Sequence, residues 1–176
     1  MILWSQQILH EESFVNRLES QILSNLKSDS KFYSTYSDWD HPPDLISEEL
    51  SKEVFSFYED KSVEMMKDVG IDGYIKYEVK PYDIWIQMNN QHTNSHPVHD
   101  HHGQGSFVSW VHVIKALPDQ LESFYFVNSS GDKTYPPQET GRMFAFPSWA
   151  LHGVEPAERE GNRIVVAGNI SFVRSK

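Results

Sequence analysis

The 176-residue chain contains no cysteine. That absence removes disulfides, iron–sulfur clusters and thiol nucleophiles, so any metal must be held by nitrogen and oxygen, and it fits a reducing compartment. Basic charge is scarce as well: 15 Lys and Arg stand against 25 Asp and Glu, a formal net charge of -10. Phosphate binding relies on clustered Lys and Arg, so this balance argues against duplex nucleic acid and anionic membrane as partners. No apolar run reaches the length of a membrane span, and Met1 to Leu9 lacks the basic and long apolar regions of a signal peptide. The expectation is a soluble, cytoplasmic protein.

What is present is enough for one domain over residues 1–176, helical to about residue 72 and mostly strand from 73 onward. Hydrophobic residues make up 39% and aromatics 13%, so a core can form without disulfides or structural zinc. Phe14, Leu18, Ile22 and Leu26 recur every four positions between Glu11 and Lys27, which predicts an amphipathic helix. A second helix is expected through Leu50, Val54, Phe57, Met65 and Val69, with Asp44 or Ser47 as its cap and Gly70 as its stop. Between them, Asp29 to Pro43 has no period and reads as an ordered loop in which Tyr33, Tyr36 and Trp39 form a plug or a lid.

Beyond Gly73, β-branched and aromatic runs separated by turn residues predict about eight short strands, with clear candidates at 106–115, 123–128, 142–146 and 163–173. Two helices ahead of such strands suggest a mainly β (α+β) antiparallel double-sheet jelly roll with the helices on one outer face.

Five histidines lie between His92 and His102. On an extended segment positions i and i+2 share a face, so His99 and His101 can reach one ion while Asp100 points away. His152 follows about fifty residues later, and Arg163 eleven positions beyond it. Three ligands on one side of an ion leave the opposite positions open, the arrangement non-haem iron oxygenases use. A competing pair, Asp100 with His102, would supply the carboxylate of the commoner two-histidine site. Arg163 heads the apolar strand Ile164-Val165-Val166-Ala167-Gly168, where a guanidinium needs an anion. That anion is either a carboxylate ligand, gripped by two parallel hydrogen bonds, or a salt-bridge partner such as Glu155 or Glu158. Trp85, Trp110, Phe124, Phe126, Phe146 and Trp149 are core aromatics or the frame of a substrate pocket.

Four runs carry a resemblance: Pro97-Val98-His99-Asp100-His101-His102-Gly103-Gln104-Gly105-Ser106-Phe107-Val108, Tyr135-Pro136-Pro137, the stretch from Gly141 through Phe146-Pro147-Ser148-Trp149 and His152 to Pro156, and Arg163 to Ile170. They resemble the 2-oxoglutarate and Fe(II)-dependent oxygenase superfamily, in particular the small oxygenases of marine bacteriophages and bacteria. The match spans residues 85 to 173, about half the chain. It implies a double-stranded β-helix, His99, His101 and His152 as iron ligands, and Arg163 as the group that holds the distal carboxylate of 2-oxoglutarate. The implied reaction, with Fe(II) as cofactor and O2 and 2-oxoglutarate as cosubstrates, is hydroxylation of an unidentified small molecule or protein. Two positions depart from the pattern: many members carry an acid where His101 stands, and a hydroxyl where Val165 stands. A cupin-like dioxygenase that does not use 2-oxoglutarate and a non-enzymatic jelly-roll binding module are the alternatives.

Overall fold

A computed structural model describes residues 1–25, 46–80, 83–91, 96–102, 105–117, 120–158 and 160–173. The expected loop at 29–43, with its Tyr33, Tyr36 and Trp39, lies outside the described residues, as do His92 and the motif residues Gly103 and Gln104. The elements run β1 Trp4–Gln7, α1 Glu12–Asn25, α2 Glu48–Asp68, β2 Tyr77–Glu78, β3 Ile84–Asn89, β4 His96–His99, β5 Ser106–Lys115, β6 Phe124–Val127, β7 Lys133–Thr134, β8 Arg142–Pro147, β9 His152–Val154 and β10 Arg163–Phe172. The described residues are thus mostly β, with two helices and two antiparallel sheets among them. The larger sheet has the order β1-β8-β5-β10-β2, with β3 also paired to β10, and the smaller is β4-β9-β6-β7.

Period-two side-chain alternation explains how these parts stack into three layers. Along β10, Ile164, Val166 and Ile170 join the helices in one core cluster, while Val165 and Ala167 join the smaller sheet in another. Strand β5 divides the same way, with Val108, Trp110 and Ile114 toward the helices and Val111 and Val113 toward the smaller sheet. Both faces of these central strands are covered, which is why apolar residues occupy most positions along them instead of every second one. The helices therefore sit on one outer face of the larger sheet, as the sequence predicts.

Helix α1 buries Phe14, Leu18 and Ile22 of the expected stripe, whose fourth member, Leu26, lies outside the described residues, and each apolar side chain removed from water is worth roughly 1.5–3 kcal/mol. Helix α2 buries Leu50, Val54, Tyr58, Met65 and Met66. Ser47 caps the helix, its Oγ accepting the Leu50 N–H at 3.2 Å, an interaction worth about 1 kcal/mol, while the other candidate cap, Asp44, lies outside the described residues. Gly70, just past the helix, adopts φ +75°, the left-handed conformation that suits glycine. Six strands lie outside the four clear candidates of the sequence: β2 and β3 fall in the β-branched and aromatic run beyond Gly73, whereas β1, β4, β7 and β9 have two to four residues each, too few for a period to show. Strand β1 places a sheet edge ahead of the helices, paired with β8 from Trp4 opposite Ala145 to Gln7 opposite Arg142. No described helix is long and apolar enough to cross a membrane.

Candidate metal centre

The two sheets enclose a cavity of about 260 Å³ whose walls include Trp85 and Gln87 from β3, His96 and His99 from β4, Phe124 from β6, Phe146 from β8, His152 from β9 and Arg163 from β10. At one end the structure brings His99, His101 and His152 together, one nitrogen of each lying within 4.8 Å of the others. Backbone pairing does the first half of this: β4 and β9 are antiparallel, with His99 directly opposite His152 and the two rings 4.3 Å apart. His101 arrives differently from the sequence expectation. Strand β4 ends at His99, and the chain bends so that the His101 N–H donates to the Ser148 carbonyl at 2.8 Å. The Pro147-Ser148-Trp149 stretch is therefore the turn that fixes His101 as well as the lead-in to His152.

Each imidazole is anchored by its Nδ1. His99 Nδ1–H donates to the Pro97 carbonyl at 2.8 Å, His152 Nδ1–H to the Ala150 carbonyl at 2.8 Å, and His101 Nδ1–H to Asn169 Oδ1 at 2.7 Å. Carbonyl oxygens only accept, so the protons sit on Nδ1 and every Nε2 presents a lone pair. The Nε2 atoms of His99 and His101 are 3.1 Å apart. Two lone pairs at that separation repel unless a cation lies between them, and two nitrogens about 2.1 Å from one ion at a right angle would be about 3 Å apart. The donor set thus fits a first-row divalent metal. Burial reinforces it: desolvation, with the neighbouring imidazoles adding to it, pushes His152 down to about 3, and desolvation also lowers His101 despite its bond to Asn169. Both are neutral near pH 7, as ligands must be.

The competing pair is not brought to this point. Asp100 is exposed and its Oδ1 accepts the His102 N–H at 3.1 Å, while His102 is itself exposed. Arg163 is 3% exposed, and its Nη2 is buried with no hydrogen-bond partner among the described residues. Burial alone lowers it to about 10, so it remains a cation at neutral pH. The candidate salt-bridge partners are elsewhere, since Glu155 pairs with Lys133 at 2.5 Å and accepts from Tyr135, and Glu158 is exposed. A lone buried guanidinium in a cavity wall is a receptor for an anion.

Among the aromatics, Trp85, Trp110, Phe124 and Phe146 line the cavity, although the Trp110 ring also packs in the helix-side core against Tyr58; Phe126 belongs to the core behind the cavity, and Trp149 is 55% exposed. Three residues went unassigned in the sequence. Asn169 holds His101; Ser109 donates to Asn169 Oδ1 at 2.7 Å; His96 faces the cavity with its Nδ1 buried and unpartnered among the described residues. The available signal was a polar residue interrupting an apolar strand, as Asn169 does in Gly168-Asn169-Ile170.

No family model and no curated protein sequence matches the chain. Solved structures do. A Burkholderia pseudomallei oxidoreductase of the 2OG-Fe(II) oxygenase family superposes with TM-score 0.58 at 13% identity, covering 73% of this chain and 61% of that one. The chain shares its fold with the 2OG-Fe(II) oxygenases. A Pseudomonas putida prolyl-4-hydroxylase superposes with TM-score 0.61 at 12% identity over 97% of this chain and 92% of that one. The non-heme alpha ketoglutarate dependent carbocyclase SnoK from nogalamycin biosynthesis gives TM-score 0.60 at 10% identity, covering 96% and 79%. The first of these spans well beyond this chain, while the prolyl-4-hydroxylase is matched over nearly its whole length. At such identities the likeness is one of fold, and the argument for chemistry rests on the side chains.

Proposed function

We propose that the protein is an Fe(II) and 2-oxoglutarate-dependent oxygenase, built on a double-stranded β-helix, that hydroxylates an as yet unidentified substrate. The observation that carries the reading is three Nδ1-anchored imidazoles with convergent lone pairs, in one cavity with a buried guanidinium whose Nη2 has no partner among the described residues. His99, His101 and His152 would hold the metal, and Arg163 the distal carboxylate of 2-oxoglutarate through two parallel N–H donors. When bound, iron and 2-oxoglutarate supply activation of O2, with loss of carbon dioxide, formation of succinate and oxidation of a C–H bond. The chain's own part is orientation and exclusion. The Ala150, Pro97 and Asn169 acceptors fix the rings and their tautomers. Trp85, Phe124 and Phe146 wall off water, which strengthens the Arg163 interaction in a low-dielectric site.

The test is an anaerobic titration with Fe(II) and 2-oxoglutarate, followed through the weak visible metal-to-cosubstrate charge-transfer band. A band in wild type, lost in His152→Ala and weakened in Arg163→Ala, is the expected result. The all-nitrogen donor set is the observation that favours a second reading, a cupin-like dioxygenase independent of 2-oxoglutarate. Metal binding without the band selects it; no metal binding leaves a jelly-roll binding module.

A further inference from the structure

On the other face of the larger sheet, away from the cavity, a polar chain crosses the apolar contact between helices and sheet. His112 on β5 is fully buried, and its Nε2–H donates to the Ile8 carbonyl at 2.9 Å, which leaves Nδ1 as an acceptor. Tyr58 of α2, also fully buried, therefore donates its O–H to His112 Nδ1 at 2.7 Å. The phenol oxygen in turn accepts from His10 Nε2–H at 3.3 Å. Tyr58 stacks on Trp110, with ring centroids 4.9 Å apart and planes 16° from parallel.

Trp110 connects this chain to the metal side of the sheet. Its indole lies against the backbone of Gly168, so closely that a Cβ there would come within 2.7 Å of Cε2. The next residue, Asn169, accepts the His101 Nδ1–H. Ser109, the neighbour of Trp110 in sequence, is 3.4 Å from the same Nδ1. One hydrogen bond and a few covalent bonds thus join a metal-ligand candidate to an indole, and van der Waals stacking joins the indole to a phenol that already has a base on its proton.

We propose that Trp110 and Tyr58 form a hole-transfer relay, with His112 as proton acceptor, which carries an oxidising equivalent from the His101 side of the cavity to a neutral phenoxyl radical on Tyr58. The oxygenase reading above enters only as the source of the oxidant, the oxidised metal centre that O2 activation would leave with no substrate to oxidise, two electrons above Fe(II), of which the relay would supply one and a small-molecule reductant the other. In the first step that centre takes one electron from the Trp110 indole. The indole radical cation then takes one electron from Tyr58 as the phenol O–H bond breaks and its proton passes to His112 Nδ1. The products are intact Trp110, a phenoxyl radical and an imidazolium. A small-molecule reductant of the thiol or ascorbate class returns the electron, and the proton goes back to the phenol oxygen.

Burial holds the phenol far above its ordinary range, so deprotonation before oxidation is closed and the proton must leave with the electron. Burial also pushes His112 down to about 4, yet a phenol radical cation is a far stronger acid than imidazolium, and the proton still transfers. Phe and Leu at these positions would fill the same space without three polar groups that must satisfy one another. The relay gives that cost a function.

Flash photolysis of the metal-free chain with a ruthenium tris-bipyridine photo-oxidant tests the relay independently of the oxygenase reading. Wild type should form an indole radical that decays into a phenoxyl radical, read by transient absorption and by frozen-sample EPR. In Tyr58→Phe the indole radical should persist and the phenoxyl yield fall, although seven of the eight tyrosines remain. In His112→Gln phenoxyl formation should slow by about tenfold or more, the worth of one strong hydrogen bond. Trp110→Phe supplies a second route should Tyr58→Phe not fold, since it also lowers the phenoxyl yield. Kinetics and phenoxyl yield equal to wild type in Tyr58→Phe or Trp110→Phe overturn the relay. A phenoxyl signal after flash oxidation but none from iron, 2-oxoglutarate and O2 would leave the relay standing and count against the oxygenase reading as its oxidant source.

Discussion

Replacing Asn169 with Ala puts the metal-site argument under direct load. Asn169 Oδ1 accepts from both His101 Nδ1–H and Ser109 Oγ–H, each at 2.7 Å. Ser109 has a second partner in Ser148 Oγ at 3.0 Å and can turn to it. His101 has only the 3.4 Å contact with Ser109 to fall back on, so its buried Nδ1–H is left poorly satisfied. Two consequences follow. The metal-free protein loses about 1–3 kcal/mol, the cost of a buried donor without a good acceptor. The ring is also free to rotate and to carry its proton on Nε2, the nitrogen that would face a metal, and partners of this kind are worth roughly 10–100-fold in metal affinity. Asn169→Asp is the control, since it keeps the acceptor and adds charge that makes His101 a stronger ligand. Competition of Fe(II) or Co(II) against a chromophoric chelator reads the affinity, and urea unfolding of the metal-free forms reads the stability. An Ala variant that folds and binds metal within about twofold of wild type would refute the role given to Asn169, because a tenfold loss is the least this geometry allows.

Arg163→Met should weaken the effect of 2-oxoglutarate on the visible spectrum and yet stabilise the ligand-free protein by about 1 kcal/mol or more, because it removes a buried charge whose Nη2 has no partner among the described residues. Thermal unfolding should show that gain as a rise of about 2–4 °C per kcal/mol, and a fall would mean that the guanidinium has a structural partner. Gly168→Ala drives a methyl group into the Trp110 indole and the Asp83 carbonyl, so a loss of about 1–3 kcal/mol is expected in chemical denaturation. In metal-free protein, His112 titrates near 6.5 when unfolded but is pushed down to about 4 when folded. Its folded pKa is the lower one, so its contribution is complete above pH 6.5 and is lost as pH falls toward 4, by about 3 kcal/mol in all. His101 and His152 act in the same direction, so the comparison is with His112→Gln, whose stability should fall less steeply between pH 6.5 and 4.

What the sequence made legible follows from how far each signal reaches along the chain. The α1 stripe of Phe14, Leu18 and Ile22 and the ten-residue strands β5 and β10 repeat a burial period several times, and each is where the sequence predicts it. Strands β4 and β9 span only four and three residues, so no period marks them, although they carry His99 and His152. The histidines were found through their chemistry. The i, i+2 argument identified His99 and His101 but gave the wrong cause for their meeting, because the strand ends at His99 and a turn held by the Ser148 carbonyl delivers His101. Arg163 could be read because a cation heading an apolar strand has to be answered by an anion, and that reasoning needs no partner to be known. Asn169 could not be read as a ligand's support. Its role exists only through the register that sets Asn169 opposite Ser109 across β10 and β5, sixty positions apart in sequence. Sequence shows which residues have chemistry to do, and pairing register decides which of them meet. The same register places Gly168 opposite Trp110 and so sets the indole one residue from the support of His101, a link between the two faces of the sheet that no local pattern contains.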